Sequence, residues 1–472
     1  MPGLPLDAPR TDALRRAADH IADAWSSFDH ARDGQPLLDD ALARVLAGGL
    51  PEQPTSVLTA LDDAAQALDE SLAPARPRYF AFVGSSGLEV GVLADALASA
   101  YDVNLATHAG VADLVERQAL DWVGRFIGFP ASGGAFTSGG MISNLTALTA
   151  AREMALPAIR DTGYAGRAAA LYCSAEAHYS VRRAAEVLGI GAAFVRAIPI
   201  DGARRMIAAE AAAAIDRDVA DGITPIAVVA TAGTTLTGAV DPIAELADVC
   251  VPRRVWLHVD GAYGLPAAAA PTTRGLFAGL ERADSVVVDA HKWLYLPKAC
   301  GVVLVRERSA LERAFVHDEA YMLHGEDELN AVDRTLEYSR PFRALKLWLA
   351  FRVHGAAAFR DAIADNVALA RRLADAVRAQ PELELVVPEP QLSTVPFRHV
   401  PPGIDDLDGH NLALVEALQH DSRVYVSSAE IDGLVCLRPC IVNYRTTAED
   451  VDALIEVTLE LGRELAGATR TS

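Results

Sequence analysis

Lysine is nearly absent from this 472-residue chain: of 42 basic residues, only Lys292, Lys298 and Lys346 are lysines. Arginine keeps its proton at any working pH and forms no imine, whereas lysine can lose its proton and attack a carbonyl. Imine chemistry is therefore confined to three positions. Cysteine is scarce too, with five residues at 173, 250, 300, 436 and 440 and no CxxC pair. An odd count without that spacing argues against a disulfide framework and against a structural zinc site. No apolar run approaches the roughly 20 residues of a membrane helix. The opening MPGLPLDAPRTDALRR has no apolar core of the kind a secretory signal needs. Positive charge is in deficit: 63 acidic residues leave a net charge of −21, which repels phosphate backbones and argues against nucleic acid. The GxxxxGK[ST] pattern of a nucleotide P-loop is missing as well. These absences leave the expectation of a soluble, cytoplasmic protein. The length allows about three domains, and 51% hydrophobic residues suffice for large cores.

Three regions are expected. Residues 1–75 form an N-terminal helical arm, in which Leu14, Ala18, Ile21, Trp25 and Phe28 make one apolar stripe at 4,3,4,3 spacing. That stripe needs a partner, and a second subunit is one candidate. Residues 76–343 read as a large α/β domain. Gly139-Gly140 precedes the helix-like SNLTALTAARE, and unbroken apolar runs lie at 226–230, 255–259, 285–288 and 301–305. Such runs, separated by helical segments, indicate a parallel sheet covered on both faces. Residues 344–472 read as a small α+β domain. It has a helix near 359–379, strand-like segments near 383–388, 393–400, 424–428 and 433–442, and a last helix capped by Thr447 with Asp450 three residues on.

Five fragments carry chemistry. In DAHKW (289–293) an apolar strand ends in His291-Lys292, and strand carboxyl ends are where open α/β sheets bind ligands. Lys298 follows a proline in a loop and Lys346 sits in a helical run, so both are weaker nucleophile candidates. In VDGAYG (260–264) Asp260 ends another strand, 32 residues before Lys292, a spacing that fits one strand-helix-strand unit. A carboxylate there can hold a pyridine nitrogen protonated, although a lone VDG more often starts a turn. In FTSGGMISNL (136–145) the glycine pair offers bare N–H groups at a helix start, a phosphate site. His178, in EAHYSVRRA, can stack on a flat ring or serve structurally. ATAGTTLTGAVDPI (230–243) runs a strand into small hydroxyl residues. Taken in order over about 155 residues, they supply an anion turn, a stacking group, a pyridinium partner and a Schiff-base lysine.

These segments resemble the group II pyridoxal-phosphate decarboxylases, the family of aromatic-L-amino-acid, glutamate and diaminobutyrate decarboxylases. RPRYFAFV (76–83), TSGGMISNLTAL (137–148), EAHYSVRRAAEVLGIG (176–191), WLHVDGAYG (256–264) and DSVVVDAHKWLYLPKACGVVLVR (284–306) carry the likeness. RALKLWLAFRVHG (343–355) and LRPCIVNYRTT (437–447) extend it, so that it covers roughly residues 70–460. The resemblance implies the type I fold of pyridoxal-phosphate-dependent transferases, a large mostly parallel-sheet domain beside a smaller α+β domain. It implies that Lys292 carries the cofactor, Asp260 pairs with the pyridine nitrogen and Ala262 packs on one ring face. His178 would stack on the other face and help hold the substrate carboxylate. Gly139, Gly140 and Met141 would cradle the phosphate, with His291 and Asp289 beside it, and Thr234 or Thr235 would approach the phenolic oxygen. Phe82, Val83, Ser85 and Asn104 would line the substrate pocket. It also implies a homodimer with the site at the subunit interface.

Two departures stand out, the first bearing on the phosphate contacts and the second on the protonation step and product. A hydroxyl residue is common where Met141 stands, and Ala331 falls where the family's aromatic decarboxylases place a mobile-loop tyrosine. The acids nearby are Tyr321, His324 and Tyr338. The expected activity is decarboxylation of an L-amino acid, aromatic among the options, to amine and CO₂. One alternative is decarboxylation coupled to oxidative deamination, giving an aldehyde. Another is a catalytically silent scaffold homologue.

Overall fold

A computed structural model describes residues 5–32, 38–106, 109–317 and 331–471. Seven strands form the central sheet: β1 (Gly133–Thr137), β2 (Ala169–Ser174), β3 (Val195–Ile198), β4 (Thr224–Thr231), β5 (Trp256–Asp260), β6 (Ser285–Asp289) and β7 (Gly301–Val305). Their order across the sheet is β1-β7-β6-β5-β4-β2-β3. The pairs β2–β3, β2–β4, β4–β5 and β5–β6 are parallel. The four runs read from the sequence are β4 to β7, fully buried along nearly their whole length because helices cover both faces. One orientation differs from expectation. β7 runs antiparallel to both of its neighbours, so the Gly301–Val305 run is not part of the parallel ladder. A chain leaving β6 at Asp289 turns through 290–300 and comes straight back, a connection too short for a crossover helix. The unit from β5 to β6 also lacks the expected helix; three 3₁₀ turns (Leu265–Ala269, Arg274–Phe277, Leu280–Arg282) bridge it.

Four more strands, β8 (Leu383–Leu385), β9 (Phe397–His399), β10 (Ser428–Ile431) and β11 (Leu434–Leu437), make an antiparallel sheet in the order β10-β11-β9-β8. Expected strand 424–428 is displaced: pairing begins at Ser428, while Tyr425 makes an isolated bridge to Tyr79. The helix Ala344–Ala379 is broken at Gly355, whose φ of 75° no helix accommodates. Its residues up to Val367 pack into the core of the large sheet, and those from Ala370 onward into the core of the small one. The last helix, Ala448–Thr471, starts as expected: Thr447 N–H and Oγ1 both donate to the Asp450 carboxylate. Among the described residues, no helix is long and apolar enough to cross a membrane.

The N-terminal helix Arg10–Phe28 finds part of its partner within its own arm. It packs on the helix Val57–Asp69, with His20 Nε2 2.7 Å from Asp62. At the far end of the stripe the Arg76 guanidinium lies over the Phe28 ring, and Arg76 also donates to the Ser27 carbonyl at 2.7 Å. Leu14, at the near end, remains 72% exposed.

Candidate active site

Period-2 alternation puts Trp256, His258 and Asp260 of β5 on one face, and Ser285, Val287 and Asp289 of β6 on the same face. Against that face lies the helix Gly140–Ala155, which brings Asn144 down onto the sheet. Asp260 is 5% exposed; one oxygen accepts from Asn144 Nδ2 at 2.8 Å and the other from the Ala262 N–H at 3.2 Å. After β6 a tight turn, Lys292 N–H to Asp289 carbonyl at 2.9 Å, swings Lys292 back so that Nζ lies 3.0 Å from Asp289 Oδ2. The other lysines are placed elsewhere. Lys346 is buried in an ion pair with Asp95 at 2.8 Å, and Lys298 opens on that same neighbouring pocket.

Lys292, Asp289, Asp260, Ala262 and His178 line one cleft, together with Gly140, Met141 and Thr235. His178 is partly buried, and burial pushes its ring below the ordinary histidine range, so it stands neutral. Its Nδ1 lies 2.9 Å from Ser180 Oγ. Burial likewise lowers His291, whose Nδ1 sits 3.1 Å from both the Cys300 N–H and the Cys300 carbonyl, beside Gly139. Of the two threonines, Thr235 lines the cleft. Thr234 is fully buried, bonded to Thr237 at 2.8 Å and to the Ala239 N–H at 3.2 Å. The expected pocket residues separate in the same way. Ser85 is buried and donates to the Leu296 carbonyl at 2.8 Å. Asn104 Oδ1 accepts from the N–H groups of Ala106 at 3.1 Å and Arg340 at 3.2 Å, which makes it a turn-former. Val83 packs on the large core. Phe82 is held with φ at 55° and its ring 62% exposed. Ala331 is buried, Tyr338 is 41% exposed, and Tyr321 and His324 lie outside the described residues.

The sequence reading missed one residue at the cleft edge. Arg438, 3% exposed, donates to the Phe82 carbonyl at 2.9 Å and to the Thr235 carbonyl. Both of these partners are backbone carbonyls, and its Nε has no hydrogen-bond partner. An unpaired buried cation is costly unless a ligand anion completes it. Its signal in the sequence was slight, one arginine inside LRPCIV following an apolar strand. A cavity of about 430 Å³ opens at the opposite, amino ends of the strands, among Met154, Arg254, Trp256 and Arg306; the one thiol on its wall, Cys250, is buried, and burial raises its pKa.

The cleft fits pyridoxal phosphate. A Cβ at Gly140 would lie 3.0 Å from both Ala262 Cβ and Asp289 Oδ2, so only glycine lets the backbone amides of the helix start face that space bare. Asp260 keeps lone pairs for a protonated ring nitrogen, and the amine of Lys292 stands in the same cleft.

The comparisons agree. Residues 40–400 match the model of the pyridoxal-dependent decarboxylase conserved domain. The chain is 34% identical over 464 residues to an aromatic-L-amino-acid decarboxylase of Bacillus atrophaeus, covering 96% of this chain and 95% of that one. It is also 34% identical over 470 residues to an L-2,4-diaminobutyrate decarboxylase of Rhizobium meliloti, covering 96% and 92%. Among solved structures, Oryza sativa TDC with PLP and tryptamine superposes with a TM-score of 0.90 at 27% identity, over 98% of this chain and 99% of that one. A glycine-opened helix, a carboxylate-ended strand and a strand-end lysine converge on one cleft as this chemistry requires, and the chain belongs to the pyridoxal-dependent decarboxylase family, as a pyridoxal-phosphate-dependent amino-acid carboxy-lyase.

Proposed function

We propose that the substrate is an aromatic L-amino acid, released as its amine and CO₂, and that Arg438 receives the substrate carboxylate. The observation carrying this is the buried Arg438 guanidinium fixed between the carbonyls of Thr235, in the cleft, and Phe82, an exposed aromatic residue. A cation for the leaving carboxylate, held by the backbone of an exposed aromatic residue, suits an aromatic substrate. The likeness to the Bacillus atrophaeus enzyme supports the same choice.

Pyridoxal phosphate, when bound, supplies the electron sink that accepts the pair left by the departing carboxylate. The chain's own residues do the rest. Lys292 would hold the cofactor covalently through its amine. Asp260 keeps a negative charge facing the ring nitrogen, so that nitrogen stays protonated. Ala262 and His178 take the two ring faces, and His178 shares the substrate carboxylate with Arg438. Gly139, Gly140 and the Met141 amide hold the phosphate, with His291 and Asp289 beside it, and Thr235 meets the phenolic oxygen.

We also place two chains in the working enzyme. Leu93, Leu97 and Tyr101 project from one face of the helix Glu89–Tyr101 at 50%, 52% and 80% exposure, and Val111 and Leu114 of the helix Val111–Ile127 are 73% and 56% exposed. Exposed apolar side chains spaced along one helix face in this way fit a second copy better than water. Five free, buried cysteines fit a reducing cytoplasm.

The test is a CO₂-release screen over L-amino acids with product identification. Aromatic amino acids should turn over fastest and yield amine. Faster release from 2,4-diaminobutyrate or glutamate overturns the substrate class, and aldehyde with ammonia overturns the product. Borohydride reduction and peptide mapping should place the pyridoxyl group on Lys292; a label on Lys298 or Lys346 overturns its role.

A further inference from the structure

Behind the cleft runs a buried hydrogen-bond chain that no step above uses. Trp256 Nε1 lies 2.8 Å from Ser285 Oγ, Ser285 Oγ 2.7 Å from His258 Nδ1, and His258 Nε2 2.9 Å from Asn144 Oδ1. Asn144 Nδ2 then reaches Asp260 Oδ2 at 2.8 Å and Ser180 Oγ at 2.9 Å. Asn144, His258, Ser180 and Ser285 are all at most 1% exposed, so water reaches none of them.

The polarity of this chain has one consistent solution. An ionised carboxylate only accepts, so the Asn144 amide must present its NH₂ to Asp260. Its oxygen therefore faces His258, and His258 must carry its proton on Nε2. Bare Nδ1 then accepts from the Ser285 hydroxyl, whose oxygen accepts in turn from the Trp256 indole N–H, a group that can only donate. The second Asn144 N–H occupies a Ser180 lone pair, which turns the Ser180 hydroxyl toward His178 Nδ1. The Ser180 backbone N–H points at the same nitrogen from 3.3 Å. Nδ1 of His178 is thus an acceptor, and its proton resides on Nε2.

We infer that Asn144 is the positioning residue that holds Asp260 as an oriented anion and fixes the proton of His178 on Nε2, with His258 locking its amide from behind. One side chain thereby couples the group facing the ring nitrogen to the group stacked on the ring. The inference rests on the cofactor assignment above. Were the amide free to flip, its oxygen would confront Asp260, and repulsion between the two acceptors would favour a protonated, uncharged aspartate.

The test uses the holoenzyme and reads the pH midpoint of the bound cofactor's visible absorbance, alongside cofactor affinity and the separate values of kcat and KM. Asn144→Asp is isosteric and sets a second carboxyl about 2.8 Å from Asp260, where the two must share one proton and Asp260 carries only part of the charge. Loss of the charge opposite the ring nitrogen removes a positive charge from the ring, so the remaining titrating nitrogen binds its proton more tightly. The midpoint should rise by about one unit or more, with kcat falling at least tenfold while KM changes less than threefold. His258→Phe should move the midpoint the same way, and His258→Gln, whose amide N–H can replace Nε2–H, should restore it toward wild type. The histidine pair decides the matter if Asn144→Asp does not fold. A wild-type midpoint in Asn144→Asp or His258→Phe overturns the inference, as does His258→Gln behaving like His258→Phe. Failure of the wild-type protein to take up cofactor at all would instead overturn the cofactor assignment.

Discussion

His258 shows what a single buried ring contributes. Burial pushes its pKa down to about 4, from an ordinary 6.5, while the nearby Asp260 charge opposes the shift. The folded protein holds this ring neutral, and the unfolded chain protonates it below its ordinary value. The stabilisation from keeping it neutral is therefore complete above pH 6.5 and is lost as pH falls from 6.5 toward 4. At pH 5 the loss amounts to about 2 kcal/mol. His258→Gln, which cannot titrate, should lose correspondingly less stability between pH 7 and pH 5 in denaturant unfolding; parallel losses in the two proteins would show that the histidine does not titrate on unfolding. Residue chemistry was legible where it ended an apolar strand. Lys292 and Asp260 stood out because each follows an apolar strand-like run and the two fall in order with the glycine turn, His178 and the GTT segment, although either alone has ordinary structural uses. Asn144 and Arg438 were hidden for the opposite reason: they sit inside helix- and strand-like runs, and their significance comes from residues 116 positions away, at Asp260, and 203 positions away, at Thr235.

At the scale of elements, a buried ion pair outside the cleft joins the helix Val111–Ile127 to the segment entering the long helix. Arg340, whose side chain is fully buried, meets Glu116 through two bonds of 2.6 and 2.9 Å, with a third contact to the Phe136 carbonyl of β1 at 3.4 Å. Breaking such a pair leaves an uncompensated charge, so Glu116→Gln should cost about 3–5 kcal/mol. Replacing both partners, Glu116→Leu with Arg340→Met, should recover most of that loss. Equilibrium denaturation of the three proteins checks both, and a near-neutral single variant would show that the guanidinium reaches water. Elements were readable to the extent that they were apolar and long. β4 to β7 announced themselves, whereas β1, GGAFT, is short and glycine-rich and was not read as a strand. The direction of β7 was illegible, because a hydrophobic run looks the same parallel or antiparallel.

For the whole molecule, the proposal of two chains predicts a dimer that dissociates on removal of its arm or its apolar face. Deleting residues 1–30 should expose the arm's packing surface on Val57–Asp69 and weaken association; Leu97→Glu should do so without touching the arm. Sedimentation at falling concentration reads both, and a full-length chain that remains monomeric at micromolar concentration would refute the proposal. The arm shows why assembly was only half legible: the helix packs on the helix 57–69 and the Arg76 guanidinium covers Phe28, with Ile21, Trp25 and Phe28 of the stripe partly buried, whereas Leu14 and Ala18 stay exposed and Ala13 is the buried residue at that end. The antiparallel insertion of β7 has a consequence in time. A Cβ on Gly301 would lie 2.6 Å from the Gly139 Cα, so the anion turn is walled by a glycine made 162 positions later (301 minus 139). A nascent chain that has just produced the turn, or even Lys292, still lacks that wall. The cradle can close only once β7 has left the ribosome, so its completion falls late in synthesis, after both the turn and Lys292 have been made.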